Sequence, residues 1–69
     1  MKSCSGKRFC KIIEQKDWIL VGINGSHHIY RKKGAQFAIS VPVHKNEDLK
    51  QGILKNLMKQ ANLTEDDLL

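Results

Sequence analysis

The stretch Trp18-Ile19-Leu20-Val21-Gly22-Ile23-Asn24-Gly25-Ser26-His27-His28-Ile29-Tyr30-Arg31-Lys32 decides the fold of this chain. Its first six residues are aromatic, aliphatic and partly β-branched, the composition of a strand. Asn24-Gly25-Ser26 follows, and Asn and Gly tolerate the positive φ of a tight turn. From His27 to Lys32 the chain alternates as a second strand, so the two form an antiparallel hairpin.

On the N-terminal side, Ser5 is placed to cap a helix from Gly6 to about Lys16, with Phe9, Ile12 and Ile13 as its buried stripe. Lys7 and Arg8 in its first turn have the wrong sign for the helix dipole, by about a few tenths of a kcal/mol, which suggests that they serve a ligand. Trp18 is expected to anchor this helix to the sheet. On the C-terminal side, Lys33-Gly34 turns, and Gln36–Val41 alternates with Phe37, Ile39 and Val41 on one face. Tyr30 is expected as a core or edge aromatic beside Phe37, and Pro42 ends the third strand. After the polar loop His44–Asp48, a second helix is expected from about Lys50 to Ala61, with Ile53, Leu54, Leu57, Met58 and Ala61 as its stripe. Asn62 stops it, and Thr64-Glu65-Asp66-Asp67 begins a capping pattern for a terminal turn. The order is α-β-β-β-α. This predicts an α+β fold, a three-stranded antiparallel sheet with both helices on one face and the other face open to a ligand.

The 69 residues are read as one domain, 1–69, with no room for a second core. No apolar run approaches the roughly 20 residues of a membrane span, and the N-terminus lacks a signal-peptide apolar segment; no membrane partner and a cytoplasmic location are expected. Cys4 and Cys10 fit neither a zinc nor a redox CxxC spacing and read as two reduced thiols. The net charge is +5, unevenly spread. Residues 1–45 carry nine Lys/Arg against Glu14 and Asp17, a balance of +7; residues 46–69 carry three Lys against five acids, a balance of −2. A basic N-terminal two-thirds points to an anionic partner, of which RNA is one. The cations expected to meet it are Lys7, Arg8, Arg31, Lys32, Lys33, Lys45, Lys55 and Lys59.

The adjacent histidines are the chemically suggestive feature. Near its ordinary pKa of about 6.5 a histidine exchanges protons at cellular pH. That suits taking a proton from an RNA 2′-hydroxyl or giving one to the leaving 5′-oxygen, without metal or cofactor. Arg31, Lys32 and Lys33, close in sequence, are candidates to neutralise charge on the phosphate. Alternation sends His27, Ile29 and Arg31 one way and His28, Tyr30 and Lys32 the other, and leaves open which set faces the core. Histidines on opposite faces make a poor metal pair. His44 reads as a loop histidine with no assigned role.

Trp18 before a strand, then Gly25-Ser26-His27, Val41-Pro42-Val43-His44, and Leu49-Lys50 leading into Ile53-Leu54-Lys55-Asn56-Leu57-Met58-Lys59-Gln60-Ala61-Asn62-Leu63, together resemble the HicA (YcfA-like) toxin family. The resemblance runs from about Lys7 to Leu68. It implies a double-stranded-RNA-binding-domain-like fold and an mRNA interferase, the toxin half of a toxin–antitoxin pair, inhibited by a HicB-type antitoxin. Gly25 and Ser26 become the active-site turn and His27 the catalytic residue, with His28 as the alternative. Two turns depart from the family pattern: Asp17 stands where members often carry Gly, and Gln51-Gly52 where many carry Pro-Gly. The competing reading is a non-catalytic RNA-binding or antitoxin-binding module of the same fold.

Overall fold

The computed structural model describes residues 3–45 and 47–68, so Asn46 of the loop after the third strand lies outside the described residues. The elements run α1 (Gly6–Glu14), β1 (Ile19–Asn24), β2 (His27–Arg31), β3 (Ile39–Pro42), α2 (Gln51–Ala61) and a terminal 3-10 turn (Glu65–Leu68). The three strands form one antiparallel sheet in the order β1-β2-β3. This is the expected α+β arrangement.

Local signals set most of the boundaries. Ser5 Oγ accepts from the Arg8 amide at 3.1 Å and caps α1. The helix stops at Glu14, two residues before the expected Lys16, because Asp17 turns the chain at φ 72°. Asp is among the few non-glycine side chains that accept the left-handed region, so it makes this turn without a glycine. Gly25 (φ 63°) closes the β1–β2 hairpin, and Asn62 (φ 58°) ends α2 as a left-handed C-cap. At the N-terminus of α2, Lys50 is extended (φ −63°, ψ 146°) and offers no side-chain cap.

Register decides the faces. Tyr30 pairs with Leu20 and Ile39, and His28 with Ile23 and Val41. Because Tyr30, Ile39 and Val41 are buried, this is the core face. It packs on Phe9 and Ile13 of α1 and on Leu54, Leu57 and Met58 of α2, so both helices cover the same side. Trp18 joins the cluster through packing, since its indole Nε1 has no hydrogen-bond partner among the described residues. The helices lie over β3, whereas β1 is an edge strand, exposed along its length and bulged at Val21.

Two expectations are corrected here. Phe37 is 74% exposed and precedes β3, which starts only at Ile39; Tyr30 packs without it, against the helices. Ile53 is also exposed, because it sits on the flank of the α2 stripe rather than at its centre. Arg8 also takes part in the fold: its guanidinium Nη2 donates to the Leu68 carbonyl at 2.5 Å. Arg8 thereby ties the terminal turn to α1, a structural use for a cation expected to serve a ligand. Lys16 adds an ion pair to Asp67 at 3.2 Å. The Thr64 amide and then Lys16 hold the Asp67 carboxyl below its usual range.

Candidate functional site

The site is built where β2 begins and β3 ends. Asn24, His27 and Pro42 lie side by side across the three strands, on the face opposite Tyr30 and Val41. His27 is exposed; His28, on the core face beside Val41, is half-buried. Alternation left the two histidines equivalent, and cross-strand pairing separates them. His27 Nδ1 lies 3.1 Å from Ser40 Oγ on β3. That bond restrains the ring, and Nε2 makes no hydrogen bond among the described residues.

Backbone contacts extend the pairing past β3. The Val43 amide donates to the Ser26 carbonyl at 2.8 Å, and Ser26 Oγ lies 3.5 Å from His44 Nε2. His27, Pro42, His44, Glu47, Asp48, Leu49, Lys50 and Ile53 border one cleft of about 340 Å³. The outer wall is tied to the N-terminal segment: the Leu49 amide donates to the Cys4 carbonyl at 2.7 Å, and Ser5 bridges to Asp48. α2 begins in this wall without an acidic residue in its first turn, so its partial positive end faces the cleft unopposed by its own side chains. Among the described residues, no three His, Cys, Asp or Glu side chains are grouped so as to hold a metal ion.

The expected cations scatter. Arg31 is exposed on the His27 side of β2, but at its far end, beside Ile19. Lys32 and Lys33 border a separate recess with Glu14, Asp17 and Trp18. At about 3.3 Å per residue, Lys32 lies roughly 16 Å along the strand from His27. The structure therefore does not bring this basic run to the histidine. Lys45 is exposed and adjoins His44; Lys7 on α1 and Lys55 and Lys59 on α2 are exposed as well. Lys50 and Ser40, which sequence reasoning passed over, stand at the site instead. Only the pairing of β2 with β3 identifies Ser40 as His27's neighbour, and no local pattern carries that information.

Against this geometry, residues 6–63 match the family described as HicA toxin of bacterial toxin-antitoxin. The chain belongs to the HicA toxin family. A match over 58 of 69 residues spans all three strands and both main helices. As a HicA family member, the protein is a toxin of a toxin–antitoxin pair. No curated protein matches the chain. Among the described residues, no helix is long and apolar enough to cross a membrane.

Proposed function

We propose that this HicA family member is a metal-independent RNA endonuclease, an mRNA interferase, with His27 as a general acid or base. The observation that carries the reading is the placement of His27. It is exposed at a cleft, with Nδ1 held by Ser40 and Nε2 unpartnered among the described residues. His28 on the core face is the weaker candidate, being half-buried against Val41. The Gly25-Ser26 turn presents His27, and the Ser26 carbonyl anchors the end of β3.

In this reading the scissile phosphate sits between His27 and the start of α2. Lys50 and the helix's positive end oppose its charge, and Lys45, Lys55, Lys59 and Lys7 extend the attraction to flanking phosphates. The protein acts in the cytoplasm, and a HicB-type antitoxin restrains it by covering the cleft.

The test is cleavage of RNA by purified protein, with and without a chelator, alongside growth on induced expression. Wild type cleaves in chelator and arrests growth. His27→Ala does neither, while His28→Ala retains cleavage if it stays folded. RNA binding that weakens with salt, without cleavage by wild type, overturns the enzymatic reading in favour of a binding module. Loss of activity in folded His28→Ala but not in His27→Ala moves the catalytic role by one residue.

A further inference from the structure

His27 pairs with Pro42 across β2 and β3, and His44 lies two residues beyond Pro42. The Val43–Ser26 hydrogen bond continues the contact by one residue, which brings His44 up to the turn that presents His27. Both rings border the same cleft. Each also has one nitrogen beside a serine hydroxyl: His27 Nδ1 is 3.1 Å from Ser40 Oγ, and His44 Nε2 is 3.5 Å from Ser26 Oγ. The other nitrogen of each ring makes no hydrogen bond among the described residues.

From this juxtaposition we infer that His44 is a second catalytic residue, and that His27 and His44 act as an acid–base pair on one phosphodiester. The inference rests on the endonuclease reading above and supplies the group which that reading lacks. One imidazole takes the 2′-hydroxyl proton as the 2′-oxygen forms its bond to phosphorus. The other, entering as imidazolium, gives its proton to the 5′-oxygen as the P–O5′ bond breaks. The products are a 2′,3′-cyclic phosphate and a 5′-hydroxyl, and the step balances without a further reactant. In-line displacement needs its base and its acid on opposite sides of the phosphorus, so the phosphate would seat between the two imidazoles that border the cleft.

Other titratable groups face the same space: Glu47 and Asp48 from the loop and Lys50 at the start of α2. Carboxylates ordinarily titrate near pH 4 and histidines near 6.5, so the pH profile discriminates between them. With two histidines required in opposite protonation states, the rate rises and falls about a maximum.

The experiment compares wild type, His27→Ala and His44→Ala on a short RNA and on the same RNA with sulfur replacing the bridging 5′-oxygen. A sulfur leaving group departs as thiolate and needs no proton from an acid. Each variant is expected to lose about 100-fold or more on ordinary RNA. The sulfur substrate should restore one variant, which lacks the acid, and not the other, which lacks the base. The surviving histidine should then show a single-limbed pH profile. Wild-type rates for His44→Ala on ordinary RNA overturn the pair while leaving His27 and the endonuclease reading intact. So does a His44→Ala profile that keeps both limbs. Absence of cleavage by wild type is a different result, and it removes the endonuclease reading itself.

Discussion

The Tyr30 hydroxyl donates a hydrogen bond of 2.5 Å to Glu14 Oε2, joining the middle strand to the last residue of α1. Burial first, and the Glu14 bond second, push the Tyr30 phenol well above its ordinary value near 10. A raised folded-state value means that the neutral phenol stabilises the fold below about pH 10, and that this contribution is lost as pH rises further. Tyr30→Phe should cost about 1 kcal/mol at neutral pH, since exposed Glu14 regains water. It should also flatten the alkaline fall in stability. Urea unfolding at neutral pH and near pH 11 checks both; an unchanged alkaline slope contradicts the assignment.

The two thiols offer a separate alkaline marker. Burial raises both Cys4 and Cys10 above their ordinary values. Folded protein at neutral pH should therefore react with a thiol-specific reagent far more slowly than protein unfolded in urea. Rapid modification of either cysteine in the folded state would show that it is open to solvent.

Gly6 places α1 directly against the end of β3. A Cβ there would come 2.1 Å from the Pro42 carbonyl oxygen, a backbone atom that can move only with its strand. Gly6→Ala should destabilise by about 1–3 kcal/mol, read as a lowered thermal midpoint. Because Pro42 pairs with His27, the RNA cleavage proposed above should fall with it. An unaltered midpoint would mean that the two backbones are further apart.

Gln51 opens α2 as its first helical residue, following an extended Lys50. That backbone suits proline, which fixes the helical φ and requires the preceding residue to be extended. Gln51→Pro should stabilise by about 0.4–1 kcal/mol, mainly by restricting the unfolded chain. A loss of stability in urea titration would show that the Gln51 amide is needed as a donor.

His27 and His28 should separate in stability as well as in activity. His28→Ala removes a half-buried ring beside Val41 and should cost about 1 kcal/mol; His27→Ala, at an exposed ring, should stay within about 0.5 kcal/mol of wild type. The opposite order in thermal melts would reverse the assigned faces of β2.

Much of the fold was legible because its signals are local. Ser5 caps its own helix through its hydroxyl, and Gly25 and Asn62 turn the chain through left-handed backbones of their own, all within a few residues. Phe37 and Ile53 mark where pattern reading overreached. Alternation extended β3 backwards through Phe37 to Gln36, but pairing with β2 begins only at Ile39. Helical periodicity placed Ile53 in the stripe, but the sheet covers only its centre. Asp17 is the instructive departure, a non-glycine residue that still makes the left-handed turn.

The sequence by itself determined the element order, the hairpin, the basic N-terminal balance and the motifs that place the chain among HicA toxins. These are properties of neighbouring residues or of composition. Only the tertiary structure decided which histidine faces outward, that Ser40 holds it, that His44 shares its cleft, and that Lys32 and Lys33 lie elsewhere. Strand alternation fixes sides relative to one another, but it names no inside until a second strand and two helices bury one of them. Cross-strand partners are chosen by register, which joins residues far apart in the chain and leaves no periodic trace in either segment alone.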